Sequence, residues 1–248
     1  MAYNRRTLFD AVRVPVFGGA LTQSQVDGVG KILDYRETRC PTMREDAFAY
    51  LLATVTWETG HKMQPVPEAG GEPNGKPNAY LRAKKYYPWY GRGLVQNTWE
   101  ANYAKYGCAN NPDGPEAMLT WPKSLDACFN GMVKGVYTGK KLDDYFTPTK
   151  MDFVGARRII NGTDRADAIA AIAKTWLEAL RKASATIASP IHAGPVATAP
   201  KSPAELPAPP ISIEDKPPPP GNTTAAPAPG LWSRIGAALA GAFFKRRA

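Results

Sequence analysis

The sequence predicts a mainly α-helical domain with a small loop and β-hairpin region, followed by a disordered Pro-rich linker and a short C-terminal amphipathic helix. Three observations carry this expectation. Apolar residues recur at helical spacing in several stretches, long strand-like alternation is absent, and the composition changes sharply near residue 188. The 248 residues suffice for one sizeable domain plus an appendage, so the chain divides into a domain over 1–188, a linker over 189–230 and a basic segment over 231–248.

In chain order, Thr22-x-x-Gln25 reads as a capping box in front of Val26, Val29, Ile32 and Leu33. A second helix is expected from about Arg44 to Thr59, with Phe48, Leu51, Leu52 and Val55 at helical spacing and Gly60 as its stop. From Pro65 to Pro88 the Gly, Pro and Asn content predicts loops and a short hairpin. Asn97-x-x-Glu100 offers a cap for another helix, and further helices are expected over Ser124 to Tyr137, Asp152 to Ile160 and Asp164 to Ala185.

Beyond Ser189, Pro, Ala, Ser and Thr dominate, and such a stretch buries too little apolar area to offset the entropy of ordering it. The final segment sets Leu231, Trp232, Ile235, Leu239, Ala242 and Phe243 on one helical face. Its apolar run, Ile235 to Phe244, is ten residues long. Crossing a bilayer takes roughly 20. A helix lying in an anionic membrane or lipopolysaccharide interface, flanked by Arg234 and Lys245 to Arg247, fits better; a short helix docked on the domain is the alternative.

The net charge of +9 is shared by both parts: six basic against three acidic residues lie beyond residue 188, leaving 25 against 19 before it. That balance suits a polyanionic envelope or no partner at all. Without a recognisable binding motif it does not support nucleic-acid binding. Cys40, Cys108 and Cys128 are too few for a disulfide framework and match no metal-ligand spacing with the two histidines, so buried thiols, no metal and no cofactor are expected. The first residues carry positive charge without a following apolar stretch of signal-peptide length, so no signal peptide is expected.

The chemistry centres on Thr54-Val-Thr-Trp-Glu58-Thr-Gly60, where Glu58 falls on the border of the apolar stripe and is expected to be partly buried. Burial disfavours a charged carboxyl group, which is what a general acid needs near neutral pH. Ten residues on lies Glu68, after a chain reversal that the prolines and glycines predict, and Glu72 competes with it as a second carboxylate. Glycoside hydrolysis uses such a pair, one member protonating the leaving oxygen and the other activating water or attacking the sugar. In Tyr86-Tyr-Pro-Trp-Tyr90-Gly-Arg-Gly93-Leu-Val-Gln96-Asn-Thr98, the glycines permit a tight turn, and Gln96, Thr98 and Asn102 offer groups for water or sugar hydroxyls. The aromatic residues suit either stacking on sugar faces or an ordinary core. His61 reads as a capping or solvated side chain, and Arg157-Arg158 as a solvated charge pair.

Taken together, Trp57-Glu-Thr-Gly60, Met63-Gln-Pro-Val-Pro-Glu68, Tyr90-Gly-Arg-Gly-Leu-Val-Gln96-x-Thr98-Trp-x-x-Asn102-Tyr103 and Ile159-Ile-Asn161-Gly162 resemble glycoside hydrolase family 19, in its bacteriophage endolysin branch. The likeness spans roughly residues 20 to 186. It implies a lysozyme-like, two-lobed helical fold, Glu58 as general acid and Glu68 as the residue that activates water for inverting hydrolysis. By the same likeness Tyr90, Gln96, Thr98, Asn102 and Asn161 line the substrate site, and Arg92 supports the Gly-Arg-Gly turn. Position 57 carries Trp where the chitinases of the family have His, and the interval between the two glutamates is shorter than theirs. The resemblance implies a monomeric peptidoglycan hydrolase that accumulates in the host cytoplasm and acts at the bacterial wall. The alternatives are a chitinase and a non-catalytic wall-binding module.

Overall fold

The computed structural model of the chain describes residues 2–71 and 77–188. Glu72, the expected linker over 189–230 and the expected amphipathic segment over 231–248 lie outside the described residues.

Seven α-helices are described: α1 (Arg5–Arg13), α2 (Gln23–Arg39), α3 (Glu45–Glu58), α4 (Ala79–Arg82), α5 (Glu100–Lys105), α6 (Trp121–Lys134) and α7 (Ala166–Ala188). Two antiparallel pairs of two-residue strands accompany them, β1 (Val66–Pro67) with β2 (Arg92–Gly93) and β3 (Phe146–Thr147) with β4 (Lys150–Met151). The registers are Val66 opposite Gly93, Pro67 opposite Arg92, Phe146 opposite Met151 and Thr147 opposite Lys150. This is a mainly α-helical domain with small antiparallel β elements, and with so little sheet it is less than a full lysozyme fold.

The axis of the domain is α3. Every residue from Ala47 to Thr56 is buried, because its Ala, Leu, Val and aromatic side chains are apolar around the whole circumference. Along it packs α7 through Trp176, Leu177 and Leu180, and α1 closes over α7 with Leu8 and Val12. Phe129 of α6 meets Phe48 at 6.2 Å between ring centroids, and Ile32 and Leu33 of α2 complete the same core. Each fully buried Leu, Ile or Phe contributes about 1.5–3 kcal/mol relative to exposure, so this largest core is the main support of the fold, with two smaller clusters beside it. Among the described residues no helix is long and apolar enough to cross a membrane.

The capping box forms as its sequence requires: Thr22 Oγ1 accepts from Gln25 N at 3.2 Å, and Gln25 Oε1 accepts from Thr22 N at 2.8 Å. Three expectations are corrected. The stretch Asp152 to Ile160 is a 3-10 turn over Gly155–Ile159, because Asp152 Oδ1 accepts from Gly155 N at 2.7 Å and draws the chain into a turn. Asn97 does not cap α5, since its backbone pairs with Arg92 in both directions, and Trp99 precedes the helix at φ 74°. The expected hairpin within Pro65 to Pro88 is a ladder reaching on to Arg92 and Gly93, and the tighter hairpin, β3–β4, lies elsewhere.

Candidate functional site

Glu58 ends α3, and the turn that follows is tightly bonded. Thr59 Oγ1 donates to Val55 O at 2.7 Å and accepts from Met63 N at 3.0 Å, while His61 N donates to Thr56 O at 2.7 Å. Gly60, His61 and Met63 all take positive φ, a conformation free to glycine and costing a residue with a side chain about 1–2 kcal/mol. Trp176 Nε1 donates to Thr56 Oγ1 at 3.0 Å and ties α7 to this end of α3. His61 is half-buried, with Nδ1 3.0 Å from Val16 O; burial lowers its pKa and the Val16 carbonyl opposes that shift. A capping or solvated role for His61 therefore gives way to a tertiary one, holding the Val16 segment to the turn.

The Glu58 carboxylate is 6% exposed and faces Arg157, itself 4% exposed, whose Nη1 donates to Glu58 Oε1 at 2.6 Å. Arg157 Nε donates to the Asp164 carbonyl at 3.1 Å, so the 3-10 turn before Ile159 presents the guanidinium already oriented. Burial works against the charge on Arg157, but Glu58, with smaller contributions from Tyr50 and Asp164, outweighs it and the Arg157 pKa stands above its ordinary value. Reading Arg157 as a solvated charge is thus corrected, whereas Arg158 beside it is exposed. The pair joins the first motif segment to the turn just before the fourth, across 99 residues.

Glu68 belongs to a second group. Its Oε1 accepts from the Tyr86 hydroxyl and its Oε2 from Gly91 N, both at 2.9 Å, while its own N–H donates to Gly91 O at 2.6 Å. These bonds extend the β1–β2 ladder by one residue and leave Glu68 2% exposed. Gln96 crosses the same ladder, with Nε2 donating to Val66 O at 2.9 Å and to Gly93 O at 3.2 Å. Gly91 is closely surrounded: a Cβ there would meet Gln96 Oε1 at 2.9 Å and Glu68 Oε2 at 3.3 Å. Only a residue without a side chain lets those two groups approach.

The remaining expected residues are held locally. Thr98 Oγ1 donates to Gln96 O at 2.9 Å, and Asn102 Nδ2 donates to Thr98 O at 2.9 Å while its Oδ1 accepts from Lys105 at 3.2 Å. Asn161 Oδ1 accepts from Gly162 N at 2.8 Å within its own turn. Tyr90 is buried in a small core with Leu81 and Tyr86, and the Arg92 guanidinium lies 3.6 Å from its ring centroid. Arg92 is the hub of this region, donating to Pro88 O, Tyr90 O, the Tyr103 hydroxyl and Glu116 Oε1. The aromatic cluster therefore forms core, with Tyr103 OH donating to Tyr90 O at 2.6 Å and Tyr86 meeting Trp99 edge-on.

The structure brings Glu58 together with Arg157, and Glu68 together with Tyr86, Gly91 and Gln96, with residues 59–65 as the chain between the two groups. No family model, curated protein or solved structure matches this chain. The residues that sequence reasoning missed are Arg157, Tyr86 and the Gly91 amide. Only Arg157 carried a local signal, being flanked by Ala156 and Ile159-Ile160 as a charged position inside an apolar turn.

Proposed function

We propose that this chain is a glycosidase that hydrolyses β-1,4 bonds in the glycan strand of bacterial peptidoglycan, as an endolysin released from the host cytoplasm would, with Glu58 as acid and Glu68 as base. The observation that supports it most is a pair of buried carboxylates, ten residues apart, held in unlike settings. Glu58 bonds a guanidinium, and Glu68 accepts from the Tyr86 hydroxyl and the Gly91 amide. Two carboxyl groups with different surroundings are what an acid/base division requires.

In this reading Arg157 occupies Oε1 of Glu58, and Oε2 carries the proton. That proton passes to the glycosidic oxygen as the bond from the anomeric carbon to that oxygen breaks. Glu68, held by the Tyr86 hydroxyl and the Gly91 amide, takes a proton from water as the water oxygen bonds to the same carbon. The arrangement is a reduced form of the lysozyme-like, two-lobed plan, with α3 supplying the acid and the β1–β2 region the base. Gln96, Thr98, Asn102, Asn161 and Tyr90 are proposed to shape the sugar site from the second region. Their hydrogen bonds to neighbours support a role in fixing its walls.

One observation favours a second reading. Both carboxylates are almost wholly buried, which also suits a non-catalytic wall-binding module whose glutamates only hold the fold. Mass analysis of products from purified peptidoglycan and from chitin oligomers decides among these readings. We expect glycan fragments with new reducing ends from peptidoglycan, and a loss of about 10²–10⁴ in rate for Glu58→Gln with wall binding retained. Amide-bond products, or an unimpaired Glu58→Gln variant, would overturn the assignment; chitin cleavage alone would redirect it to a chitinase.

A further inference from the structure

Residues 78–90 divide between a buried side and an exposed one. Leu81, Tyr86 and Tyr90 form one small core, while Tyr80, Arg82, Lys85 and Tyr87 are exposed. Tyr80 is 39% and Tyr87 42% exposed, and among the described residues no other aromatic side chain is exposed. Lys84 joins these two rings: its Nζ lies 3.9 Å from the Tyr80 ring centroid, and its carbonyl accepts from Tyr87 N at 3.0 Å. The end of α4 and the turn after it thus hold both rings beside the same lysine.

The charge on this side is of one sign. Residues 73–99 carry Lys76, Arg82, Lys84, Lys85 and Arg92 and no aspartate or glutamate. Arg92 turns inward to Glu116. Arg82 donates to the Pro77 carbonyl, which leaves its charge in place, and no carboxylate among the described residues pairs with Arg82 or Lys85. An exposed ring can cover the flat apolar side of a sugar, and a guanidinium or ammonium without a partner attracts a carboxylate, so the two together suit an anionic glycan. Between Lys85 and Tyr87, the Tyr86 hydroxyl donates to Glu68 Oε1 at 2.9 Å and ties this surface to the proposed base.

We propose that Tyr80, Arg82, Lys85 and Tyr87 form a glycan-binding surface beside Glu68 that prefers peptidoglycan to chitin. The inference rests on the glycosidase reading and names the feature by which the substrate is chosen. Alternate sugars of a peptidoglycan strand bear a lactyl group, and the stem peptides attached there carry free carboxylates, whereas chitin repeats an uncharged N-acetyl sugar. The rings serve both polymers; the cations serve only the first. Exposed charges are screened by salt, so the part played by Arg82 and Lys85 fades as ionic strength rises while that of the rings persists.

Sedimentation with insoluble peptidoglycan and with chitin tests this, on the full chain carrying Glu58→Gln so that neither polymer is consumed. Adding Arg82→Gln and Lys85→Gln is expected to weaken retention by peptidoglycan about tenfold at low salt, to reduce its salt dependence, and to leave retention by chitin as it was. Adding Tyr80→Ser and Tyr87→Ser instead should weaken peptidoglycan retention by about the same factor at every salt concentration. Variants with the parent's melting temperature and the parent's peptidoglycan retention would overturn the inference. An equal loss on chitin from the cation variant, or a loss confined to anionic phospholipid vesicles, would also overturn it. If the change at Arg82 costs the fold through the Pro77 carbonyl, Lys85→Glu at its exposed position takes its place. With Glu58 intact, the same substitutions should raise KM on peptidoglycan about tenfold with kcat nearly unchanged. Absence of hydrolysis by the parent would defeat the functional reading, and retention would still measure the surface. Hydrolysis by the parent, with retention and KM unmoved in the variants, would defeat only the surface.

Discussion

Replacing Arg157 by methionine keeps most of the side-chain volume and removes the charge, leaving the Glu58 carboxylate buried without its partner. Both side chains are more than nine-tenths buried and meet at 2.6 Å, so removing one member is expected to cost about 3–5 kcal/mol. Part of that cost is the bond from Arg157 Nε to the Asp164 carbonyl, about 1.5–3 kcal/mol for a charged donor, and it does not depend on Glu58. Glu58→Gln should cost less, because an amide oxygen at the same place still accepts from the guanidinium. In the double variant neither charge is left uncompensated, so its cost should fall short of the sum of the single costs by about 1–3 kcal/mol. Against a total stability of about 5–15 kcal/mol, Arg157→Met removes a large fraction, and each kcal/mol lowers the melting temperature by about 2–4 °C in a domain of this size. Urea unfolding followed by far-ultraviolet circular dichroism, with the slope checked for constancy, measures all four corners of the cycle. Single costs that add to within about 0.5 kcal/mol would show that the two charges do not sense each other, and would refute the reasoning.

Gly91→Ala forces a methyl group to within 2.9 Å of Gln96 Oε1 and 3.3 Å of Glu68 Oε2. It should destabilise by about 1–3 kcal/mol and lower hydrolytic activity, and a variant with the parent's urea midpoint and rate would count against the packing described. The folded-state pKa of His61 is depressed, so the unfolded chain takes up the proton first as pH falls. The stability that His61 contributes is complete above the unfolded value of about 6.5 and is lost as pH drops through it toward the folded value. The parent's advantage in urea midpoint over His61→Asn should therefore shrink between pH 7.5 and 5.5; parallel curves would show that His61 does not titrate between the two states.

What was legible in the sequence is what is settled within a few residues. The cap of α2 follows from Thr22 and Gln25 alone, α7 from the helical spacing of its one apolar face, and α3 from apolar residues that are buried on every side. The helix α1 escaped notice although Asn4 Oδ1 caps Thr7 N at 3.0 Å and Leu8 and Val12 repeat at one turn; nine residues give too short a pattern to stand out. Asp152 to Ile160 has the composition of a helix, but one aspartate side chain competing for a backbone N–H turned it into a 3-10 segment. The β1–β2 ladder was invisible because two-residue strands have no period, and their pairing is fixed by Glu68 and Gln96, which act across 23 and 30 residues.

The candidate site divides along the same line. The position of Glu58 on the edge of a helical stripe was readable, because it depends only on the angle between successive residues of α3. Its partner was not, because Arg157 and Arg158 are the same residue type side by side, and only the local backbone distinguishes them. In a 3-10 turn successive residues point about 120° apart, so of two adjacent arginines one enters the core and the other faces solvent. In that turn Gly155, Ala156, Arg157 and Ile159 are buried while Arg158 is exposed, so Arg157 is the arginine that points inward. An inward arginine requires an acceptor there, and the buried carboxylate of Glu58 meets that requirement from the far end of the chain. The acid and its arginine are thus each explained by local geometry, while their meeting is a property of the packing of α3 and α7, which brings residues 99 positions apart into contact.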